Sequence, residues 1–458
     1  MRAPTIIAQG VLILTTMACA ARSADAKLNV LFLFADDMRA DSVRALGDPA
    51  VITPNLDALV QRGFVMQNAY CFGGNSPAVC LPSRNMLLSG NAYFRWQNDG
   101  PDGRRGQFAP ADGPNFATAM KRAGYVTYHH GKRGNTAQLI QATFDTNKYL
   151  KNDEAERRSG EPGRELVDDA IQFLQHRTLA ADGKPFFMYL AFGNPHDPRV
   201  AAEAYRSQYD LAKIPLPKNA LPHHPFDNGE LTIRDERLLP WPRTDADVRA
   251  TWHDYDATIT GMDHHIGRLL AALKQQQLLE STLIIFSADQ GIAIGSHGLL
   301  GKQNLYDHSM KAPLVFTGPG IKPGKSDALV YLFDIFPTVC DLVDAEAPSG
   351  IDGQSFANVI RGTETVARPE LMLAYRKSQR AIRDDRWKLI RYPEVDVTQL
   401  FDLETDPDEV HNLADQPEQR ERITKMLARL ADRQRHYGDG LPLTVTNPKP
   451  SKWTPPVN

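Results

Sequence analysis

Two near-continuous apolar stretches decide the fold of this 458-residue chain: Asn29–Ala35 (NVLFLFA) and Thr282–Ala288 (TLIIFSA). Runs of this length and composition are typical of strands that are buried on both faces of a mainly parallel sheet. Three more runs follow the same pattern and are predicted to be strands of that sheet: Tyr125–His129, Pro185–Phe192 and Pro313–Thr317.

Stretches with helical periodicity separate these strands. Asn55–Gln61 has Thr53 in the N-cap position and Pro54 at the first helical position, where the fixed φ of proline is favourable. The alternation of strand and helix predicts a doubly wound α/β domain, in which a large, mainly parallel sheet lies between two layers of helices. Further helices are predicted at Asn115–Arg122, Gly163–His176 and Trp252–Gln276.

The sequence pattern changes from about Ala367 onwards, where strands no longer alternate with helices. We expect a catalytic domain at residues 27–366 and a smaller C-terminal α+β subdomain at residues 367–458, with a small antiparallel sheet and a closing helix. The strands and the helix predicted for this subdomain are Arg380–Tyr392, Thr398–Leu403 and Pro417–Arg435.

Residues 1–26 are typical of an export signal peptide. Arg2 gives a positive start, Ile6–Ala18 is mostly apolar, and residues 24–26 (Ala-Asp-Ala) fit a small-residue cleavage site. The apolar stretch is shorter than the ~20 residues that cross a bilayer, and an uncleaved anchor is the alternative interpretation. We expect a secreted or periplasmic protein without stable membrane insertion.

Composition excludes several classes of partner. The formal net charge is only -3, so the sequence does not predict nucleic acid or an anionic membrane as a binding partner. Only three cysteines follow the predicted signal peptide, Cys71, Cys80 and Cys340, which is too few for a disulfide scaffold. A Cys71–Cys340 bridge is compatible with the sequence, and the odd count leaves at least one thiol unpaired.

Polar residues follow four of the predicted strands, at the point where each strand ends. In an open α/β sheet, ligands bind beyond the carboxyl ends of the strands, so these residues are expected to lie together. Acidic doublets are often ordinary loop or cap residues, but two of them on one predicted binding edge favour a metal site. The residues concerned are Asp36-Asp37, His129-His130-Gly131-Lys132, Asn194-Pro195-His196 and Asp289-Gln290.

The predicted metal ligands carry only oxygen donors. Carboxylate and amide oxygens suit hard cations such as Ca²⁺ or Mg²⁺, whereas zinc would favour histidine or cysteine. The sequence therefore predicts a site for one hard cation, held by Asp36, Asp37, Asp289 and Gln290.

The segment Cys80–Gly90 (CLPSRNMLLSG) carries a resemblance to a known family. It is similar to the signature of the type I sulfatases, Cys-x-Pro-Ser-Arg followed by a short helix that ends near Ser/Thr-Gly. The resemblance extends in the same order over nearly the whole mature chain, including Ser287–Pro313 and Trp387–Ala414. It implies an alkaline-phosphatase-like fold and one Ca²⁺, with Cys80 among the residues at the metal.

The same resemblance implies that a formylglycine-generating maturation enzyme oxidises Cys80 to formylglycine (3-oxoalanine). One hydroxyl of the hydrated aldehyde would attack sulfur with help from Ca²⁺, and the second would allow sulfate to be expelled and the aldehyde to re-form. An unmodified thiol cannot perform that last step. A small buried hydrophobic residue is the alternative interpretation of Cys80.

Further site residues are implied by similarity. Arg84 would brace the nucleophile and the metal site. Lys132 and Lys302 would bind the sulfate oxygens, which offsets the charge that develops during transfer. His196 would hydrogen-bond the sulfate or protonate the leaving oxygen.

One departure from the family pattern concerns a histidine. Many sulfatases have Gly-Lys-Trp-His where this chain has Gly131-Lys132-Arg133-Gly134. That histidine helps to activate formylglycine and expel sulfate, so either His130 or another group takes its role, or the step is organised differently. Gln290 in place of the more frequent asparagine or histidine is a milder change, because its amide oxygen can still bind calcium.

The sequence does not fix the roles of the other histidines. His297 and His308 lie in the stretch that follows Gln290, and either a substrate-facing or a structural role fits them. His264 and His265 are adjacent on a predicted helix and point in different directions, so they are interpreted as packing or surface residues.

The resemblance to secreted bacterial sulfatases with the stretch Gly295–Asn304 (GSHGLLGKQN) implies an exported sulfuric ester hydrolase that acts on a sulfated carbohydrate. Arg95, Trp96, the long loop Arg199–Pro242 and the C-terminal subdomain are the candidates for sugar recognition. The nearest alternative is a phosphonate monoester or phosphodiester hydrolase with the same oxidised cysteine and metal site. A catalytically silent glycan-binding relative is the alternative from another class.

Overall fold

The computed structural model describes residues 27–96, 109–110, 112–180 and 183–455. The predicted signal peptide, residues 1–26, lies outside the described residues. Within the described part of the chain, no helix is long and apolar enough to cross a membrane.

An eight-stranded sheet forms the centre of the molecule, in the order β5-β4-β6-β1-β7-β8-β2-β9. All neighbouring strands are parallel except at β8, which runs antiparallel to both β7 and β2. Its strands are β1 (Asn29–Ala35), β2 (Phe64–Tyr70), β4 (Val126–Gly131), β5 (Thr146–Tyr149), β6 (Phe186–Ala191), β7 (Thr282–Ala288), β8 (Leu314–Thr317) and β9 (Gly324–Tyr331).

Helices pack in two groups, one around α8 and one around α2. Helices α1, α6 and α7 contact α8, whereas α3, α4 and α10 contact α2, and β4 touches members of both groups. The helices are α1 (Pro54–Arg62), α2 (Cys80–Ser89), α3 (Phe116–Arg122), α4 (Gln138–Gln141), α5 (Asp153–Arg158), α6 (Arg164–Ala180), α7 (Glu203–Arg206), α8 (Asp245–Gln275), α9 (Asp307–Met310), α10 (Ile335–Leu342), α11 (Ala357–Arg361) and α12 (Arg420–Tyr437).

Apolar burial explains why the central strands lie where they do. Every residue of β1, β6 and β7 is buried. Strands covered on both faces have few polar positions, here Asn29, Thr282 and Ser287, which accounts for their near-continuous apolar sequences. The predicted sandwich of helices around a mainly parallel sheet is therefore confirmed.

Three strands of the large sheet do not follow the pattern used to predict it. β2 mixes polar and apolar residues, β5 (TNKY) has no fully buried residue, and the first half of β9 is mostly exposed. Strands at or near the edges of a sheet keep one face or one end in water and so lose the continuous apolar signature.

The chain after residue 370 contributes four strands to a second, five-stranded sheet in the order β13-β12-β11-β10-β3. Four of these strands are antiparallel neighbours, and α12 packs against them. The fifth, β3, comes from far upstream and pairs in parallel with β10, so the two parts of the chain share a sheet. The strands are β3 (Gly73–Gly74), β10 (Leu371–Tyr375), β11 (Gln379–Arg383), β12 (Trp387–Tyr392) and β13 (Val397–Asp402).

The three cysteines of the described residues form no disulfide. Cys71, Cys80 and Cys340 are all free and buried. The bridge between Cys71 and Cys340 that the sequence allowed is therefore not made.

Gly131 at the end of β4 offers a test of how tightly the central strands pack. A Cβ atom there would lie 2.1 Å from the carbonyl oxygen of Ala191, its partner on β6. We expect Gly131→Ala to push the two strands apart and to lower the free energy of unfolding by roughly 1–3 kcal/mol. Chemical denaturation measures this loss.

Gly134→Ala is the matched control, because a Cβ atom at Gly134 meets nothing within 4 Å. An unchanged unfolding free energy for Gly131→Ala would contradict the close packing of β4 against β6.

Candidate active site

Cys80 lies at the centre of a polar cluster beyond the carboxyl ends of the parallel strands. It is the first residue of α2 and is 0% exposed. Its Sγ atom lies 3.2 Å from Asp36 Oδ1, 3.1 Å from Gln290 Nε2 and 3.2 Å from Lys302 Nζ. A group at this position also faces the positive end of the helix dipole, which favours negative charge on it.

The structure brings all the predicted site residues into this one cluster. Each makes a hydrogen bond or a close charged contact to at least one other member. The nine residues are Asp36, Asp37, Cys80, Arg84, Lys132, His196, Asp289, Gln290 and Lys302.

Backbone hydrogen bonds of the sheet continue past the strand ends into the site. The amide of Asp36 donates to the Asn194 carbonyl (3.0 Å), and the amide of Asp289 donates to the Ala35 carbonyl (3.3 Å). The amide of Lys132 donates to the carbonyl of the last β6 residue (3.0 Å). The rigid sheet therefore fixes the backbone of both acidic residues and of the lysine.

Asp37 adopts a backbone conformation that is rare for a residue with a side chain. Its φ is +61°, and its amide donates to Asp289 Oδ1 at 3.0 Å. Tyr255 on α8 fixes the backbone on the carbonyl side of Asp37. Its hydroxyl donates to the Asp37 carbonyl and accepts from the Arg39 amide, both at 2.9 Å. Left-handed backbone costs about 1–2 kcal/mol, so it persists only where such contacts hold it.

Cations offset the buried carboxylates. Arg84 Nε and Nη2 bridge Asp289 Oδ2 and Asp36 Oδ2, each at 3.0 Å. Lys132 Nζ donates to Asp36 Oδ2 at 2.6 Å, and Lys302 Nζ donates to both oxygens of Asp37 at 2.7 Å. Three cations thus face three carboxylates, and a divalent metal ion would make the cluster net positive.

His196 forms the outer edge of the cluster. Its Nε2 lies 3.6 Å from Asp37 Oδ2, and its Nδ1 donates to the Asp197 carbonyl at 2.7 Å. The His196 side chain is 14% exposed, whereas those of Lys132 and Lys302 are at most 4% exposed. His196 is therefore the member of this set that an approaching ligand meets first.

Burial and charge shift the pKa values of the cluster in different directions. Burial, together with Asp289 and Asp36, raises the pKa of the Cys80 thiol well above its usual value. Burial alone would raise the pKa of Asp36, but Lys132 and Arg84 outweigh it and hold that pKa far below normal. An unmodified Cys80 is therefore a protonated thiol and a poor nucleophile.

The donor set fits one hard metal ion. Single ligand atoms of Asp36, Asp37, Cys80 and Asp289 all lie within 4.8 Å of one another. Gln290 adds an amide whose Nε2 lies 2.6 Å from Asp37 Oδ1 and whose Oε1 is buried without a hydrogen-bond partner among the described residues. A 180° rotation of the amide group would turn this oxygen towards the ligand atoms. Calcium binds carboxylate and amide oxygens at about 2.3–2.6 Å, so oxygens this close together can share one ion.

His130 does not lie in the cluster. Its Nδ1 is 3.4 Å from Asp169 Oδ2, beside Lys148. Gly134, which stands where many sulfatases have histidine, has open space around its Cβ direction. Among the described residues, His196 is the histidine that contacts the predicted metal ligands.

His297 and His308 lie instead outside the cluster, where the segment after β7 contacts Glu409 in the C-terminal part of the chain. The His297 ring stacks on Tyr306 at 3.9 Å, its Nδ1 is 3.2 Å from His308 Nε2, and its Nε2 donates to the Glu409 carbonyl. His224 lies 3.2 Å from the Tyr306 hydroxyl. The structure favours the structural interpretation of both His297 and His308.

Arg95 and His265, which the sequence analysis also named, each contact a carboxylate outside the cluster. Arg95 forms an ion pair with Asp352 at 2.6 Å, and Trp96 is 7% exposed. His265 lies 3.0 Å from Glu161 Oε2 on the α6 side of α8, in agreement with a packing role.

Sequence reasoning missed the residues that hold the cluster from behind. Tyr255 supports Asp37, and Ser83 Oγ donates to the Asp289 carbonyl at 2.6 Å. Tyr255 reads as one more apolar position on an amphipathic helix, so no pattern marks it. Ser83 belongs to the Cys-x-Pro-Ser-Arg pentapeptide, which was the available signal for it.

A buried cysteine among three cations and a set of oxygen donors, at this edge of an α/β sheet, is typical of an enzyme that acts on an anionic group. The comparisons with known proteins then give the family. The family model described as "Sulfatase" matches residues 28–345, and the model "N-sulphoglucosamine sulphohydrolase, C-terminal" matches residues 295–436. The chain belongs to the sulfatase family and is a sulfuric ester hydrolase.

Named relatives agree with this assignment. Choline-sulfatase of Rhizobium meliloti is 27% identical over 435 residues, which cover 85% of this chain and 83% of that protein. N-acetylglucosamine-6-O-sulfatase of Bacteroides thetaiotaomicron is 24% identical over 502 residues, which cover 90% of this chain and 87% of that protein.

A solved structure in complex with its substrate D-glucosamine-2-N,6-O-disulfate has a TM-score of 0.74 and 22% identity. The match covers 91% of this chain and 99% of that one. The alkaline-phosphatase-like fold that the resemblance implied is thereby confirmed.

The buried histidines predict how stability depends on pH. Burial lowers the pKa of His297 to about 4 and that of His224 to about 3. In the unfolded chain both titrate near 6.5, so the unfolded state binds more protons at acidic pH. We expect the two histidines to leave the free energy of unfolding unchanged above pH 6.5 and to lower it increasingly as the pH falls towards 4.

Denaturant titrations at several pH values measure this slope. His297→Gln should flatten it by up to about 1.4 kcal/mol per pH unit between pH 6.5 and 4. An identical slope in the variant would show that His297 is not kept neutral by folding.

Proposed function

We propose that this sulfatase hydrolyses the sulfate ester of a sulfated carbohydrate, with a formylglycine made from Cys80 as its nucleophile. The observation that carries the proposal is the placement of Cys80 Sγ, 3.2 Å from both Asp36 Oδ1 and Lys302 Nζ. A protonated thiol in this position attacks poorly and cannot release sulfate once sulfated. The hydrated aldehyde supplies one hydroxyl for attack and a second for release.

The cations of the cluster would bind the transferred group. Lys132 donates to Asp36 and Lys302 donates to Asp37, so both buried ammonium groups lie close to residue 80. In this water-poor setting their charge offsets the charge on the sulfate oxygens more strongly than in water. Arg84 holds Asp36 and Asp289 in place and so braces the metal site.

His196 would act on the leaving group. It lies at the outer edge of the cluster, where the alcohol part of the ester has to emerge. Its Nδ1 proton is held by the Asp197 carbonyl, so Nε2 is the atom that faces the site. When His196 is protonated on both ring nitrogens, its Nε2–H can hydrogen-bond the sulfate or pass a proton to the departing oxygen.

One calcium ion would be held by Asp36, Asp37, Asp289 and Gln290, together with the modified side chain of residue 80. The all-oxygen donor set and the unpartnered Oε1 of Gln290 support calcium over zinc. The ion would supply positive charge that favours the ionised nucleophile.

The carbohydrate assignment is supported by the N-acetylglucosamine-6-O-sulfatase relative and by the structural neighbour with bound glucosamine disulfate. The choline-sulfatase relative makes choline sulfate a necessary comparison substrate. A formylglycine-generating enzyme is the proposed maturation partner. Secretion or periplasmic export would place the enzyme where sulfated polysaccharides are degraded.

Sulfate release from defined substrates tests the proposal. The protein is co-expressed with a formylglycine-generating enzyme, and free sulfate is measured with sulfated sugars, choline sulfate and matched phosphonate esters. We expect sulfate release from one or more of the sugars and its loss in Cys80→Ala, because residue 80 supplies the nucleophile.

Cys340→Ala is the control for loss of a buried free thiol outside the cluster. Faster turnover of choline sulfate or of a phosphonate ester would replace the carbohydrate assignment. Aldehyde formation without turnover of any ester would favour a glycan-binding role.

Calcium binding is tested separately from activity. Gln290→Leu removes the amide oxygen and keeps a side chain of similar size, so we expect calcium affinity to fall about tenfold or more, equivalent to about 1.4 kcal/mol. Isothermal titration of metal-free protein with Ca²⁺ measures it. Equal affinities for the variant and the parent protein would remove Gln290 from the proposed ligand set.

A further inference from the structure

Three consecutive residues, Arg234-Asp235-Glu236, contact both sides of the catalytic cluster. They lie in the long loop between α7 and α8, and a 3-10 helix begins at Asp235 and ends at Leu238. None of the three touches Cys80 or the proposed metal ligands. We call this tripeptide the bracket.

Glu236 binds the backbone just before Lys302. Its carboxylate is buried and accepts hydrogen bonds from the amides of Leu300 (3.0 Å) and Gly301 (2.8 Å). Arg243 Nη2 donates to the same carboxylate at 3.0 Å. Two backbone amides and one guanidinium therefore satisfy this buried charge.

Gly301 makes this close approach possible. A Cβ atom at Gly301 would lie 2.2 Å from Gln303 Oε1, 3.0 Å from Asp235 Cβ and 3.2 Å from Glu236 Oε1. A side chain there would push the bracket away from the segment that carries Lys302.

Asp235 binds the chain just after Lys302. Its Oδ2 accepts from Gln303 Nε2 at 2.8 Å, and Gln303 Oε1 accepts from the Lys302 amide at 2.9 Å. Glu236 and Asp235 thus hold the Lys302 backbone from its two sides.

Arg234 connects the bracket to His196. Its Nη1 donates to Asp197 Oδ1 at 2.7 Å, and it pairs with Asp235 Oδ1 at 3.1 Å. The Asp197 carbonyl in turn accepts from His196 Nδ1. The bracket therefore joins the two groups that flank the nucleophile, His196 and Lys302.

Lys302 needs such support because it lies in a segment without regular secondary structure. No strand or helix occurs between the end of β7 and the start of α9 at Asp307, a stretch in which all residues are described. A lysine side chain is long and flexible, and a displacement of about 1 Å at a reacting centre can cost about 10²-fold in rate.

We propose that Arg234, Asp235 and Glu236 are positioning residues for sulfate transfer, which set the placement of Lys302 and His196 on either side of residue 80. The inference rests on the proposed sulfate-binding role of Lys302. It assigns to the loop before α8 a part in the reaction itself, in addition to any contact with substrate.

Asp235→Ala and Glu236→Gln test the proposal in the calcium-loaded enzyme. Asp235→Ala removes the hydrogen-bond acceptor for Gln303. Glu236→Gln replaces one carboxylate oxygen by an NH2 group, which cannot accept a hydrogen bond from a backbone amide. We expect kcat with a simple aryl sulfate to fall about 10- to 100-fold. The affinity for inorganic sulfate, measured by calorimetry, should fall about tenfold, since Lys302 is displaced.

Two further variants separate positioning from a general loss of structure. Asp210→Ala is the matched control, because Asp210 also precedes a 3-10 helix in this loop but contacts none of the site residues. Asp235→Asn keeps an oxygen for Gln303 and should lose less activity than Asp235→Ala. Calcium affinity should stay close to that of the parent protein in all four variants. The melting temperature should fall only in Glu236→Gln, because Arg243 loses its buried charged partner there.

Sulfate affinity decides the outcome even when no ester is turned over. Weakened sulfate binding in Asp235→Ala and Glu236→Gln, with an intact fold, supports positioning whatever the natural substrate is. Unchanged sulfate affinity in both variants would overturn the proposal. So would a parent enzyme that does not bind sulfate, or losses of kcat that only follow the fraction of unfolded protein.

Discussion

The mutual repulsion of three buried carboxylates is the constraint on which the rest of the structure depends. Asp36, Asp37 and Asp289 have oxygens within 4.8 Å of one another in a site that is almost closed to water. Carboxylates so placed stay ionised only when cations lie beside them. Arg84 comes from α2, and the two lysines come from the end of β4 and the segment after β7, so charge pairing ties separate elements together.

The centre of the fold could be predicted from sequence, and its margins could not. The bounds of β1 and β7 agree with the apolar runs at Asn29–Ala35 and Thr282–Ala288, because a strand buried on both faces has few polar positions. The direction of β8 and the existence of β5 depend on pairing with distant strands, which a local pattern does not encode. Helix α8 begins at Asp245, well before the predicted Trp252, since Thr244 caps it there.

The members of the cluster could be predicted from sequence because each follows a strand or belongs to a motif. The residues that hold them in place, Tyr255 and Glu236 among them, could not be predicted. Tyr255 is an unremarkable helical aromatic until its hydroxyl is found on the Asp37 carbonyl, and Glu236 is one charge among many in an irregular loop. Contacts of this kind join residues far apart in the chain, so their meaning exists only in three dimensions.

The complete burial of Cys80 limits when an enzyme could modify this thiol. An enzyme that oxidises this thiol has to reach it, and in the folded protein it is 0% exposed. The short strand just before it, Gly73–Gly74, finds its partner only in Leu371–Tyr375, which is synthesised much later. The proposed oxidation would therefore have to precede the closing of the cluster and the pairing of Gly73–Gly74 with Leu371–Tyr375.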